Sequence, residues 1–201
     1  MEHDNGRHRM TDEEIETAQL GAAQQVNGQV ALSAYDPRWP AVFEREAALI
    51  GARFAEGAGA SGFRLEHVGS TSVPGLPAKP VIDMLLIVPD PADEASYVPA
   101  LAALGYEVAV REPDWFEHRC LRKRDLDPSA GSANLHVLPV GCPENDRMLL
   151  FRDRLRTHPG DRELYAETKR ELALREWKYT QNYADAKTGV VEEILARAAR
   201  T

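Results

Sequence analysis

The sequence of 201 residues is poor in cysteine and contains no long apolar run. Its two cysteines, Cys120 and Cys142, are too few for a disulfide framework and lack the CxxC spacing of a zinc site. No uninterrupted apolar run exceeds the five residues 84–88, whereas a membrane span requires roughly 18 residues. The first residues also contain no apolar stretch of the signal-peptide type. We therefore expect a reduced cytoplasmic protein that is not inserted into a membrane.

Basic residues are in the minority. There are 24 Lys and Arg against 32 Asp and Glu, which gives a formal charge of −8 and a pI of about 5.3. An acidic chain is a poor nonspecific ligand for the phosphate backbone, so we expect no long nucleic acid as a partner. The apolar share of 43% and the charged share of 28% are typical of a globular domain with its own core. The oligomeric state does not follow from these values.

The negative charge is concentrated before the main body of the sequence. Residues 1–27 hold six acidic residues against two arginines, and few large apolar side chains. Such a segment cannot repay the entropy of ordering, about 1–2 kcal/mol per residue. We predict an acidic, flexible N-terminal tail over residues 1–27 and a single domain over residues 28–201. Within the tail, the sequence from Thr11 to Glu14 has the pattern that caps a short helix.

Strand patterns precede helix patterns in the rest of the sequence. Strands are predicted at residues 29–32, 63–68, 81–88, 106–110, 116–123 and 133–140. Helices are predicted from Asp36-Pro37 onward, at residues 93–104, from Pro143 to the stop at residues 158–160, and at residues 161–176 and 180–200. Because regular crossover helices do not separate most of the strands, we predict an α+β fold with a mixed β-sheet, flanking helices and a helical C-terminal half.

One acidic residue, Asp83, interrupts the strongest strand pattern, VIDMLLIV at residues 81–88. Both faces of this strand are otherwise apolar, as in a central strand. A buried carboxylate must be paired, protonated or bound to a metal ion. A salt bridge to Lys79 or to an arginine would be a purely structural solution. Because perturbed buried acids are concentrated at functional sites, we treat Asp83 as a candidate site residue.

A loop rich in glycine and hydroxyl groups, Gly69-Ser70-Thr71-Ser72, lies between the strand at residues 63–68 and Asp83. Gly69 permits a close backbone approach, and the three hydroxyl groups can donate hydrogen bonds to phosphate-like oxygens. Lys79 follows and can add a charge-assisted contact. Tight turns often have this composition, so its nearness to Asp83 is what makes the loop a candidate phosphate site.

Two histidines and one glutamate are further candidates. His67 ends the strand before the loop, and His136 lies mid-strand, on the same face as Asn134 by the two-residue period. Either histidine could instead be hydrogen-bonded within the core. Glu117 and His118 face opposite sides of their predicted strand, so at most one of them reaches the same cleft.

The helical half carries basic and aromatic residues at helical spacing. Arg152 and Arg156 are four residues apart, as are Tyr183 and Lys187, so the members of each pair share a helix face. A solvated surface with apolar stems is the ordinary interpretation of such pairs. Those that overhang the sheet near Asp83 would belong to the site.

These motifs resemble the signature of the GrpB-like family. The resemblance rests on EHVGSTSVPGL at residues 66–76, KP at 79–80, ID at 82–83, YDPRWP at 35–40, EPDWFEHR at 112–119, NLHV at 134–137, LFRD at 150–153 and YADAKT at 183–188. That family is assigned to the nucleotidyltransferase superfamily of DNA polymerase beta type. The resemblance implies a mixed sheet with a glycine-serine phosphate loop and strand-borne carboxylates that hold magnesium.

The sequence departs from the superfamily pattern at one position. A second carboxylate is expected two residues after the first, on the same strand face, and here that position is Leu85. Two-metal phosphoryl transfer requires several oxygen ligands, which one aspartate cannot supply. Glu66, Glu117 or Asp153 could fill the gap, but their spacing in the sequence does not show it.

The resemblance implies an enzyme that binds a nucleoside triphosphate with Mg and transfers a nucleotidyl group to a small-molecule acceptor. Asp83 would hold the metal ion, and His136 or Glu117 would orient or deprotonate the acceptor. The residues that bind substrate or phosphate would be His67, Gly69, Ser70, Thr71, Ser72, Lys79 and Lys187. The alternative is a non-catalytic nucleotide- or ligand-binding module that has lost the second metal carboxylate.

Overall fold

The structure, a computed structural model, describes residues 9–20, 25–58 and 62–200. The strands are β1 (Gln25–Gly28), β2 (Arg64–Val68), β3 (Val81–Val88), β4 (Glu107–Glu112), β5 (His118–Asp127), β6 (Ala130–Pro139) and β7 (Trp177–Tyr179). The α-helices are α1 (Asp12–Ala18), α2 (Trp39–Arg53), α3 (Val98–Ala102), α4 (Pro143–Thr157), α5 (Pro159–Ala173), α6 (Thr180–Asp185) and α7 (Thr188–Ala198). Within those ranges, no helix combines the length and the apolar character needed to cross a membrane.

Five strands form a mixed sheet in the order β2-β3-β6-β5-β4. The central strands β3 and β6 are parallel, whereas the β2–β3, β6–β5 and β5–β4 pairs are antiparallel. Strands β1 and β7 form a separate antiparallel pair. The predicted α+β class, with a mixed sheet, flanking helices and a helical C-terminal half, is confirmed.

The two faces of β3 have different surroundings because side chains alternate along a strand. Ile82 and Met84 are fully buried in the main core, which α2 and α3 cover. Asp83 and Leu85 lie on the opposite face, where Leu85 belongs to a smaller cluster that also contacts Met148 of α4. Burial of each large apolar side chain contributes about 1.5–3 kcal/mol, so this alternation fixes the strand's orientation and the face that carries Asp83.

The loop between β2 and β3 is anchored by the helical half of the chain. Val73 and Leu76 are fully buried in a cluster with Leu155 of α4, Tyr165 of α5 and Ile194 of α7. The loop therefore has its apolar end inside the helical layer and its glycine-serine end over the sheet.

Several element boundaries differ from the sequence prediction. The strand predicted at residues 81–88 is present in full, but the first strand is β1 rather than residues 29–32. The helix predicted at residues 93–104 is reduced to α3, since Pro99 lacks a backbone N–H and fits only the first turn of a helix. The helix predicted at residues 180–200 is divided into α6 and α7.

The acidic segment before residue 28 is packed on the domain where the structure describes it. Thr11 and Glu14 form the expected capping box of α1, and Ile15 is 1% exposed. Residues 25–28 pair with β7. These contacts correct the prediction of a flexible tail for residues 9–20 and 25–27, because buried apolar area and strand pairing offset the entropy of ordering. Residues 1–8 and 21–24 of the predicted tail lie outside the described residues. The domain boundary at residue 28 stays a prediction.

Candidate functional site

Gly69 brings the loop directly against Asp83. Its backbone has φ 67° and ψ −171°, a conformation essentially restricted to glycine. A Cβ atom at this position would lie 2.5 Å from Asp83 Oδ2 and 2.8 Å from Asp83 Cβ. The sequence therefore requires glycine at residue 69 for two reasons, the backbone conformation and the close approach of the carboxylate.

The three hydroxyl groups after Gly69 make different hydrogen bonds. The Thr71 hydroxyl donates to the Val81 carbonyl (3.1 Å), and the Ser72 hydroxyl donates to the Gly69 carbonyl (2.6 Å). Both bonds hold the turn of 3-10 helix, Ser70–Ser72, in place. The Ser70 hydroxyl instead accepts a hydrogen bond from Lys169 of α5 at 2.8 Å. Ser70 is therefore the hydroxyl of this loop that connects it to a charged side chain.

The Asp83 carboxylate has one hydrogen-bonded neighbour on the sheet. Asn134 of β6 is its register partner, and the Asn134 amide donates to Asp83 Oδ1 at 3.0 Å. Burial raises the pKa of Asp83, while the Asn134 hydrogen bond and the nearby charges of Lys79 and Lys187 act in the opposite direction. No ion pair within 4.0 Å joins Asp83 to a cation of the part of the chain that the structure describes. The structural salt bridge to Lys79 is thus not formed.

Three lysines surround this carboxylate. Lys169 is 2% exposed, and burial followed by the charge of Lys187 lowers its pKa to about 7. Burial and the charge of Lys79 lower the pKa of Lys187 to about 8, and burial also lowers the pKa of Lys79. The Lys187 ammonium lies 4.3 Å from the centroid of the Tyr183 ring. Lys169 also donates to the Pro77 carbonyl.

A chain of hydrogen bonds leads from β4 to β6 on the same face. The Glu112 carboxylate accepts from His118 Nδ1 at 2.7 Å, and His118 Nε2 lies 3.0 Å from His136 Nδ1. A carboxylate can only accept, so His118 donates from Nδ1; when His118 is neutral, its Nε2 then accepts from His136 Nδ1. His118 is 3% exposed and is packed edge-on against Trp115, which fixes its ring.

These groups share one cavity of about 320 Å³. The sheet supplies one wall and the loop with α5 and α6 supplies another, while Ile15 of α1 and Gln19, which follows α1, line a further side. Arg122 and Arg124 of β5 also line the cavity. The charged side chains that line it are therefore mostly basic, with Asp83 and Glu112 as the acids.

Seven residues predicted from the sequence line this cavity: Gly69, Ser70, Thr71, Lys79, Asp83, His136 and Lys187. Their placement in one cavity is what the sequence pattern led us to expect, and the chemical role of each stays a prediction.

Two predicted phosphate-binding residues lie behind the loop instead. His67 stacks on Phe43 with 4.7 Å between ring centroids and hydrogen-bonds Thr71 Oγ1 at 3.1 Å. Burial lowers the pKa of His67 to about 3, so it is neutral in the folded protein. Ser72 is 3% exposed and bonds its own turn. Both residues shape the loop rather than line the cavity.

Glu117 also lies outside the cavity, so the structure does not bring it to Asp83 and His136, and its catalytic role stays a prediction. Its side chain is 45% exposed and pairs with Arg119. Phe116 and Glu117 both have φ 53° and belong to the turn before β5, so strand alternation does not place Glu117 on either face of the sheet.

The cavity also contains Glu112, His118, Arg122, Arg124 and Lys169, to which the sequence analysis gave no role, although it weighed His118 as the alternative to Glu117. Three of them were accessible from strand periodicity, since His118, Arg122 and Arg124 share one face of β5 at even spacing. Lys169 gave no signal, because its approach to Ser70 depends on how α5 docks on the loop.

The described residues do not fit a magnesium centre of the two-metal type. Among them, no three His, Cys, Asp or Glu side chains are close enough to hold a metal ion. Leu85 occupies the place of the second carboxylate and is fully buried. Glu66 and Asp153 are both paired with Arg152 and do not line the cavity. Three lysine side chains near one carboxylate disfavour a divalent cation there, because their positive charges repel it.

The mixed sheet, with a glycine-serine loop packed on an aspartate of the next strand, is the arrangement that the sequence resemblance implied. The family model described as GrpB protein matches residues 29–197. The chain therefore belongs to the GrpB family.

A homologous sequence and a solved GrpB structure agree with this placement, and a weaker fold likeness to a third protein adds no support to it. A UPF0157 protein of Halalkalibacterium halodurans is 50% identical over 191 residues, which cover 95% of this chain and 93% of that protein. The crystal structure of conserved protein GrpB from Enterococcus faecalis is 30% identical, with a TM-score of 0.68, and covers 85% of this chain and 98% of its own. Cid1, an RNA terminal uridylyl transferase, is 18% identical with a TM-score of 0.42 over 69% of this chain and 44% of its own.

Proposed function

We propose that the cavity binds the phosphate groups of a small molecule of the nucleoside triphosphate class. The observation that carries this proposal is the charge balance at the loop end of the cavity. There, Lys79, Lys169 and Lys187 surround a single carboxylate, Asp83, and Lys169 donates to the loop hydroxyl of Ser70. A polyanion would supply the negative charge that this arrangement lacks.

The lowered pKa values of the lysines give the proposal an energetic basis. Ammonium groups held away from water are destabilised as cations, which is why the pKa of Lys169 is about 7 and that of Lys187 about 8. A phosphate group between them would favour the charged forms and raise both pKa values. Binding near pH 8 should therefore be accompanied by net proton uptake.

A nucleotidyl transfer reaction is the second candidate, and the Glu112–His118–His136 chain favours it. Hydrogen bonding to His118 would keep the His136 proton on Nδ1, so that Nε2 could accept a proton. In such a step an acceptor hydroxyl gives its proton to His136 while its oxygen bonds to the α-phosphorus. The bond from that phosphorus to pyrophosphate breaks, and the lysines stabilise the leaving pyrophosphate.

The binding proposal is tested by thermal unfolding with ATP, GTP, CTP, UTP and tripolyphosphate, each with magnesium and with a chelator. At 100 times the dissociation constant, a ligand adds about 2.7 kcal/mol of stability. For a chain of this size that is roughly 5–10 °C in Tm. Lys169→Met should remove the shift, whereas Lys178→Met, which alters a half-exposed lysine outside the cavity, should preserve it.

The outcomes separate the two candidates. A shift with triphosphates that survives the chelator and is lost in Lys169→Met supports phosphate binding. No shift with any polyphosphate would refute it, and a shift that requires magnesium would contradict the conclusion that the cavity is not a metal centre. Pyrophosphate release in the presence of hydroxyl acceptors, lost in His136→Gln, would add the transfer reaction; stable binding without release would leave a binding module.

A further inference from the structure

Arg122 lies in the cavity with no carboxylate partner among the residues that the structure describes. Within that part of the chain, its hydrogen bonding is limited to a long contact of 3.4 Å from Nη1 to Gln19 Oε1. Its Nε atom is enclosed by protein and has no acceptor there. Leaving a donor of a charged group buried and unsatisfied is costly, and arginine normally occupies such places to bind an oxyanion through its planar fork. Arg119, on the opposite face of β5, by contrast pairs with Glu94 at 2.7 Å.

A second buried donor without an acceptor faces the same cavity. Tyr183 of α6 is 1% exposed, and its hydroxyl makes no hydrogen bond within the described ranges. It contributes its ring to the contact with Lys187 (4.3 Å) while its hydroxyl remains available to an acceptor. Two unsatisfied donors on different walls of one cavity indicate a ligand with acceptor groups at more than one point.

Strand register gives the backbone separation between Asp83, beside the lysines, and Arg122. Asp83 on β3 is the partner of Asn134 on β6, and Asn134 is the partner of Arg122 on β5. Adjacent strands are about 4.7–4.9 Å apart, so the backbones at Asp83 and Arg122 are separated by about 10 Å. The lysine cluster and Arg122 therefore lie at opposite ends of a row across the sheet, with the Asn134 amide between them.

We propose that Arg122 forms a second oxyanion subsite, so that the natural ligand is a small molecule with two oxyanion groups separated by several ångströms. One group binds at Ser70 and the lysines, and the other, a carboxylate or a phosphate, binds the Arg122 guanidinium. The Tyr183 hydroxyl donates to an acceptor of the same ligand. This inference rests on the proposed function, since it adds a second group to the ligand of the same cavity.

The test uses compounds of graded length on the full chain. Binding of methylphosphonate is compared by calorimetry with binding of alkane-α,ω-bisphosphonates, from methylene- to octamethylene-bisphosphonate. A parallel series of ω-phosphonoalkanoic acids distinguishes a carboxylate from a phosphate at Arg122. We expect affinity to pass through a maximum at an intermediate length, about 10- to 100-fold tighter than methylphosphonate, as suits one added hydrogen-bonded charge pair.

Variants of Arg122 test whether its guanidinium binds the second oxyanion group. Arg122→Gln should abolish the maximum, with its own methylphosphonate affinity as the reference for each longer compound. Arg122→Lys should give an intermediate maximum because it keeps the charge without the fork. Arg64→Gln, an equal change of charge at an exposed arginine paired with Glu66, should keep the maximum. The length series on the unaltered protein gives a result even if Arg122→Gln fails to fold.

Each outcome decides the matter. If affinity does not vary with the length of the compound, the proposal of a second subsite is wrong, while phosphate binding at the lysines is still supported. A maximum that persists in Arg122→Gln removes Arg122 from it. If neither methylphosphonate nor any longer compound binds, the proposed function itself fails. Failure of the second subsite alone differs from this result, because methylphosphonate then still binds.

Discussion

Substitution of Gly69 by alanine tests the close packing of the loop on Asp83. Two effects oppose an alanine there. The backbone has φ 67° and ψ −171°, which costs a non-glycine residue about 1–3 kcal/mol. The new Cβ would also lie 2.5 Å from Asp83 Oδ2, and forced overpacking typically costs about 1–3 kcal/mol. We therefore expect Gly69→Ala to lower the free energy of unfolding by about 2–6 kcal/mol.

Two other glycines separate these effects. Gly75 has φ 81°, but no atom lies within 4 Å of the point that a Cβ would occupy, so Gly75→Ala should show the backbone cost alone. Gly189, near the start of α7, has neither a positive φ nor a close neighbour. Its replacement by alanine should leave stability unchanged or raise it by about 0.5–1 kcal/mol.

The measurement is equilibrium unfolding in urea, with the free energy of unfolding taken from the midpoint and slope. Gly69→Ala should be more destabilising than Gly75→Ala by at least about 1 kcal/mol. Equal effects of the two substitutions would show that Gly69 does not touch Asp83, and the arrangement of the loop over the carboxylate would then be wrong.

Three further predictions concern charge and burial. Asp83→Asn should change the free energy of unfolding by less than about 1 kcal/mol, because burial raises the pKa of Asp83 and the change breaks no ion pair to the described residues. A loss of about 3–5 kcal/mol, typical of a broken buried ion pair, would contradict this prediction. The pKa values of Lys169 and Lys187 in the folded protein lie below those of an unfolded lysine, so the unfolded state binds more protons. The free energy of unfolding of the ligand-free protein, measured in urea titrations, should therefore rise from about pH 7 to 9.5. The double variant Lys169→Met/Lys187→Met should show a smaller rise. Ile15→Ala should cost about 2 kcal/mol in the same assay, whereas a free tail predicts no effect.

Local patterns in the sequence were sufficient for the sheet and the loop. The apolar run at residues 81–88 became β3 with the same bounds, because burial on both faces of a central strand leaves little choice of structure. The loop from Gly69 to Ser72 was correct for a related reason, since its glycine is needed where backbone and carboxylate meet. Asp83 and His136 were brought together as expected because β3 and β6 are adjacent and parallel.

Errors arose where structure depends on contacts between distant segments. Lys169 and Ser70 are 99 residues apart, and no periodicity in α5 shows which of its side chains meets the loop. A flexible tail was expected from the sequence because the segment holds few large apolar side chains to offset the entropy of ordering, yet one of them, Ile15, is buried against the domain. Glu117 was misplaced because strand alternation does not hold in a turn, where two successive residues have φ 53°.

The loss of the second carboxylate and the presence of the lysines are best understood together. In a two-metal site, divalent cations offset the charge of both the carboxylates and the phosphate groups of the substrate. Without metal, a carboxylate at residue 85 would repel phosphate, and here that position is a fully buried leucine. In the proposed phosphate site the positive charge then has to come from the protein, and Lys79, Lys169 and Lys187 can supply it around the remaining carboxylate. Under that proposal, the glycine-serine loop binds phosphate with lysines in the place of metal ions.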